Sequence, residues 1–192
     1  ESSGENGHIT FEQPSRFSGG DGSPLSPYII SNVTELQEAG SFLDSHFILT
    51  NDIDASETRF WNGEEGFIPI AFDTDKMYRI HNGPKFNGTM EGNGYTIRHL
   101  WINDTGYGDY FGIFGCIGRA GKVIGLNVED IHIGRGDNVG SIAGENNGLI
   151  DDCHVKGTLD AKSMYVGGLV GTNHGTIRKS DAECMVSGWS YI

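Results

Sequence analysis

The sequence predicts an all-β chain, a parallel β-helix (solenoid) with a short N-terminal capping helix. Three observations carry that expectation. VGSIAGENNGLI (139–150) and VGGLVGTNHGTI (166–177) match without a gap, and a fixed period of roughly 20–50 residues marks a stacked repeat architecture. After each isoleucine, apolar and polar residues alternate: Cys153, Val155, Gly157 and Leu159 against Asp152, His154, Lys156 and Thr158. That is the period of a strand with one buried face. Glycine supplies 30 of the 192 residues, well above the usual share of about 7%, which favours turns over long helices.

The offset from Val139 to Val166 is 27 residues, and from Phe111 to Val139 it is 28. Residues 111–192 are therefore expected to form three coils of one length. Each coil reads as two or three short strands separated by glycine turns, stacked about 4.8 Å from the next. Gly144 falls on Gly171 and Asn146 on Asn173. Glycine at such columns meets a need for positive φ or close backbone approach. The asparagines are placed to stack as a ladder along the axis. In the same register Cys153 falls over Ser180 and Cys184 over Gly157. The two thiols are then roughly 13 Å apart along a strand, too far for a bridge.

Residues 1–16 are polar, with Ile9 and Phe11 as the main apolar positions, and read as an N-terminal arm. Residues 17–110 read as a cap and the first coils. Within them, Asn32-Val-Thr-Glu35 is a capping box, and Leu36, Ala39 and Leu43 give one apolar helical stripe. A short helix there would cover the first coil, which otherwise exposes a pairing edge. Segments 55–66, 72–85 and 103–110 interrupt the pattern and are expected to leave the coil as loops.

Formal net charge is −13, with 13 basic residues scattered along the chain, so no basic face for nucleic acid is expected. No apolar run approaches the roughly 20 residues of a membrane span. Cys116, Cys153 and Cys184 form no zinc-type cluster and read as small buried residues. Sequons at Asn32, Asn87 and Asn103 point to an exported, glycosylated protein.

The motif VGGLVGxNxGxI, with Asn173 and Ile177, resembles the GLUG repeat of bacterial and archaeal surface proteins. FSGGDGSPLSPYIIS (17–31), HFILTNDID (46–54), FNGTMEGNGYTIRHLWI (86–102) and FGIFG (111–115) are similar to segments that precede such repeats. The resemblance implies right-handed parallel β-helical modules in adhesins, surface-anchored proteases and envelope proteins. The proteases carry catalysis in a separate zinc domain, and no HExxH occurs here.

The candidate carboxylate pairs for a glycoside-cleaving site are Asp52 with Asp54, Asp151 with Asp152, and Glu129 with Asp130. They read more simply as solvated turn residues. His154 and His174 fall in different columns and set up no metal site. Trp61, in the first loop, is the candidate ligand contact, and Trp101 reads as a corner packing residue. The expectation is a non-enzymatic extracellular module without catalytic residue, metal or cofactor. It would serve a surface, sheath or filament protein and assemble with itself or with envelope proteins through its solenoid ends and N-terminal arm. The alternative is an adhesin-type module that binds glycan or host protein through loops 55–66, 72–85 and 103–110. A polysaccharide-cleaving β-helix is the third reading.

Overall fold

In the computed structural model, which describes residues 16–73, 83–103, 109–134, 136–161 and 165–187, one apolar column runs the length of the chain. Phe47, Met90, Val123, Ile150 and Ile177 are each the register partner of the next. The first four are fully buried. The strands that carry them form a six-stranded parallel sheet, in the order Tyr28–Ile30, His46–Leu49, Thr89–Glu91, Lys122–Ile124, Leu149–Asp151 and Thr176–Arg178. Each neighbour comes from the next turn of the chain, which is the topology of a solenoid.

A second parallel sheet holds Ile53–Asp54, Thr96–Arg98, Asn127–Glu129, His154–Asp160 and Asp181–Ser187. Three smaller sheets complete the coils. One joins Tyr110–Phe111, Asn138–Gly140 and Tyr165–Gly167, and another joins Phe114–Ile117, Ala143–Asn146 and Val170–Asn173. Trp101–Ile102 pairs with His132–Ile133. Side chains of alternate residues fill the interior, among them Leu126, Val128, Ile131 and Ile133.

The 27-residue register holds throughout the last two coils, from Val139–Val166 to Leu159–Val186. Two details differ from the sequence reading. Each of these coils has four short strands, because the VGSIAG run turns a corner after Gly140 and splits in two. The preceding coil also does not keep one offset. It is 28 at Phe111–Val139, 29 at Phe114–Ala143 and 27 at Val123–Ile150. The FGIF corner is one residue shorter than VGSIA, and the Gly118–Gly121 turn is two residues longer than its counterpart, so the coils come back to the 27-residue offset.

Helix Val33–Glu38 follows the first strand and buries Val33 and Leu36, with Ala39 just beyond. Asn32 is its N-cap and accepts the Glu35 N–H at 2.9 Å. The reciprocal half of the capping box is shifted by one residue. The Glu35 carboxylate accepts from the Ser31 N–H (2.6 Å) and the Ser18 hydroxyl (2.7 Å). Leu43 lies past the helix and is half-buried. Beneath the cap, Phe17 stacks on Tyr28 with ring centroids 4.3 Å apart. At the far end, the four strands of the last coil each have one neighbour among the described residues. Val170, Ile177 and Val186 there are half-buried, whereas Ile150, Val155 and Leu159 one coil earlier are buried. The N-terminal arm apart from Arg16, and Gly188–Ile192 at the other end, lie outside the described residues.

Candidate binding surface

Segment 55–66 leaves the coil as expected and forms a ledge. Ser56–Glu64 are 3-10 helical on either side of a break at Trp61–Gly63, where Asn62 and Gly63 take positive φ. Asn62 Nδ2 closes the ledge onto the Gly66 carbonyl at 2.7 Å. Thr58 is fully buried; its hydroxyl donates to the Ala55 carbonyl (2.6 Å) and accepts the Trp101 N–H (2.9 Å). Gly66 has φ +88 and lies so close to the Trp101 carbonyl that an added Cβ would come within 2.2 Å of it. The ledge is thus pinned along the strand Trp101–Ile102.

Two depressions flank it. On one side a groove of about 800 Å³ is lined by Asp54, Glu57, Phe60, His99, Trp101 and His132 among others. Part of its lining is the Trp101 indole stacked on His132 of the next coil, with ring centroids 3.6 Å apart and planes 13° from parallel. The Arg59 guanidinium lies over Trp101 at 5.4 Å, and the Phe60 ring is 77% exposed. On the other side a depression of about 600 Å³ includes Trp61, Gln37, Ile68 and Phe72. Trp61 is half-buried and packed against the core. The openly exposed ring of the ledge is therefore Phe60, beside the tryptophan that the sequence singles out. The Trp101–His132 stack has a sequence signal of its own: Leu100-Trp-Ile102 and Ile131-His-Ile133 share one pattern and fall in register. Segments 72–85 and 103–110 fall largely on residues 74–82 and 104–108, outside the described residues.

Asp52 and Asp54 are drawn to different partners, and Asp52 shares Arg98 with Glu129. Asp52 accepts the Thr96 N–H (2.9 Å) and an Arg98 N–H (3.0 Å). Asp54 accepts the Ser56 N–H (3.0 Å) and pairs with His99 (3.1 Å). Glu129 takes the other side of Arg98 at 2.8 Å. The Thr96 amide and then Arg98 hold Asp52 below the usual carboxylate range; His99 and then Ser56 do the same for Asp54. Arg178 lowers Asp151 in the same way. Groups so held are poor proton donors near neutral pH. His154 hydrogen-bonds to Asp181, and His174 is exposed on the last coil. Among the described residues no group of three or more His, Cys, Asp or Glu is placed to hold a metal ion. Along the second sheet, Asp54, Arg98, Glu129, Lys156 and Glu183 occupy one column, so charge alternates in sign from coil to coil.

The remaining sequence-selected residues are placed as follows. Asn146 is fully buried; its Nδ2 donates to Asn173 Oδ1 at 2.8 Å, and its Oδ1 accepts the Gly148 N–H at 3.0 Å. Gly144 and Gly171 sit against neighbouring backbone, where an added Cβ would approach Phe111 N at 2.7 Å and Val139 N at 2.5 Å. Asn32 and Asn87 are exposed and Asn103 is half-buried. All three cysteines are free. Gly157 is the register partner of Cys184, and the Cys153 N–H donates to the Ser180 hydroxyl. Burial pushes the Cys116 and Cys153 thiols up to about 11. Among the described residues no helix is long and apolar enough to cross a membrane.

No family model matches the chain. It is 35% identical over 171 residues to halomucin of Haloquadratum walsbyi, covering 87% of this chain and 2% of halomucin. It is 38% identical over 146 residues to a protein of Evansella cellulosilytica named as a Gly-rich membrane protein, covering 73% of this chain and 16% of that protein. The chain thus spans a small part of the length of these relatives, and neither name denotes an enzyme. Among solved structures, it is similar to a Bacteroides ovatus protein assigned as a candidate immunoglobulin A1 protease. The TM-score is 0.44 at 15% identity, over 90% of this chain and 70% of that one.

Proposed function

We propose that this chain is a non-enzymatic structural module of a cell-surface protein, a rigid β-solenoid segment that spaces or joins other parts at the cell exterior. The observation that carries the reading is the uninterrupted stack. One apolar column and one column of alternating charge run through successive coils, an arrangement suited to length and stiffness. The mucin and membrane names of the two relatives support a surface location, and the repeated V-G-x-x-x-G-x-N-x-G-x-I motif supports assignment of the last coils to the GLUG repeat. The sequons at Asn32 and Asn87 lie on exposed surface, where a glycan would be accommodated.

Assembly with a second copy or another envelope protein would use the solenoid ends, where a strand added beside a coil would continue the parallel stack. An antibody raised against the purified chain, applied to intact cells of the source organism before and after brief surface proteolysis, tests location. Labelling only after permeabilisation would sink the surface reading. Electron microscopy of the purified chain across a concentration series tests assembly, with filaments or end-to-end particles as the expected product.

A further inference from the structure

We propose that the groove beneath the 55–66 ledge is a binding site for a neutral hexose residue of a glycan. The inference deepens the structural reading by giving the module a ligand. It rests on that reading only for where the glycan is met. Three features point to a sugar.

The first is the rigid base. Trp101 and His132, from successive coils, stack face to face at 3.6 Å, with Arg59 over the indole, so two coils fix one wall of the groove, and the Thr58 hydroxyl bonded to the Trp101 backbone N–H ties that wall to the ledge. The second is Phe60. A ring 77% exposed on a braced ledge, at the mouth of a groove with a largely apolar lining, is placed to cover the C–H face of a pyranose. Exposed aromatic rings beside a concave, mostly apolar wall are the usual means of fixing a small ligand. The third is the rim. Asp54, Glu57, Asp130, Ser56 and His99 supply acceptors and donors around that apolar patch. A carboxylate takes two hydrogen bonds from neighbouring hydroxyls, which are what a hexose presents at its edge. Asp54 is already oriented by the Ser56 N–H and His99.

Charge selects within the class. The rim carries three carboxylates against Arg59, whose guanidinium is engaged over Trp101, and the whole chain has a net charge of −13. Uronates and sulfated sugars are therefore repelled, and a neutral sugar is not.

The test is affinity electrophoresis of the purified chain through gels containing hydroxyethylcellulose, laminarin or galactomannan, with polygalacturonate as the anionic probe. Retardation by at least one neutral polysaccharide and by no anionic one is expected. Phe60→Ala and Asp130→Asn are expected to weaken it by about tenfold or more, the loss typical of an anchoring contact. Both residues are exposed, so circular dichroism and Tm should match the parent chain. Leu25→Ala, 98% exposed and outside the lining of the groove, should leave binding intact. Absence of retardation by all three neutral polymers, preference for polygalacturonate, or unchanged binding by Phe60→Ala would each overturn the proposal. The cell-surface reading would stand in any of those cases, because the antibody experiment decides it separately.

Discussion

Arg178 Nη2 lies 2.7 Å from Oδ2 of Asp151, its register partner one coil earlier. The carboxylate is buried, its second oxygen has no hydrogen-bond partner, and the guanidinium reaches it from the exposed last coil. A cation in the last described coil thus pairs with a buried carboxylate of the preceding one.

Arg178→Ala should therefore expose a pH-dependent weakness. Arg178 depresses the folded-state pKa of Asp151. The pair's contribution is then fully present above the unfolded carboxylate value of about 3.9 and is lost as pH falls through the lower folded value. The variant should melt below the parent chain at pH 7, with the gap closing as pH drops under about 4. Thermal melts of both chains over that range check this; a gap independent of pH would mean that Arg178 acts by packing alone.

The asparagine pair should be unequal. Asn146→Ala removes a fully buried side chain that bonds both Asn173 and the Gly148 N–H. Its cost should be about 1–3 kcal/mol, the penalty for stranding buried partners. Asn173 is exposed, so water replaces it more readily and Asn173→Ala should cost less. Urea unfolding of the two variants gives the comparison.

Thiol chemistry should follow burial. Cys116 and Cys153 are fully buried, with pKa values pushed up to about 11, while Cys184 is half-buried and shifted up by its own burial. Since the thiolate is the reactive form, a disulfide reagent should label Cys184 first in the native chain. All three should react in denaturant, as read by intact mass. Rapid native labelling of Cys153 would contradict the burial.

Close approach of backbones should make one column intolerant of a methyl group. Gly144→Ala would place a Cβ 2.7 Å from Phe111 N, an overpacking that typically costs roughly 1–3 kcal/mol. Gly40→Ala meets nothing within 4 Å and lies in a 3-10 turn without positive φ. It should be neutral or stabilise by about 0.4–1 kcal/mol. Tm values of the two variants measure the contrast.

The repeat was legible because a solenoid writes its register into the chain: residues 27 apart in sequence are neighbours in space, so Val139, Asn146 and Ile150 predict their own partners. The capping helix was legible because Asn32 and Glu35 carry a local hydrogen-bonding pattern. What escaped was set by corners and by insertions. The one-residue change at Phe111–Phe114 is invisible without its compensation at Gly118–Gly121. Trp61 stood out by residue type, yet the ledge turns it toward the core and leaves Phe60 outside, since the direction of a side chain on a broken 3-10 segment depends on Asn62 and Gly63. His99 and Asp130 enter the groove only because the coil brings Trp101 over His132.

The column of Asp54, Arg98, Glu129, Lys156 and Glu183 gives the stack a parity. A single coil copied and inserted in place would set two like charges side by side there, which is unfavourable on adjacent strands. A copied pair of coils would preserve the alternation. A chain of this kind is therefore free to lengthen in steps of two coils, and each step of one demands a charge reversal before it fits.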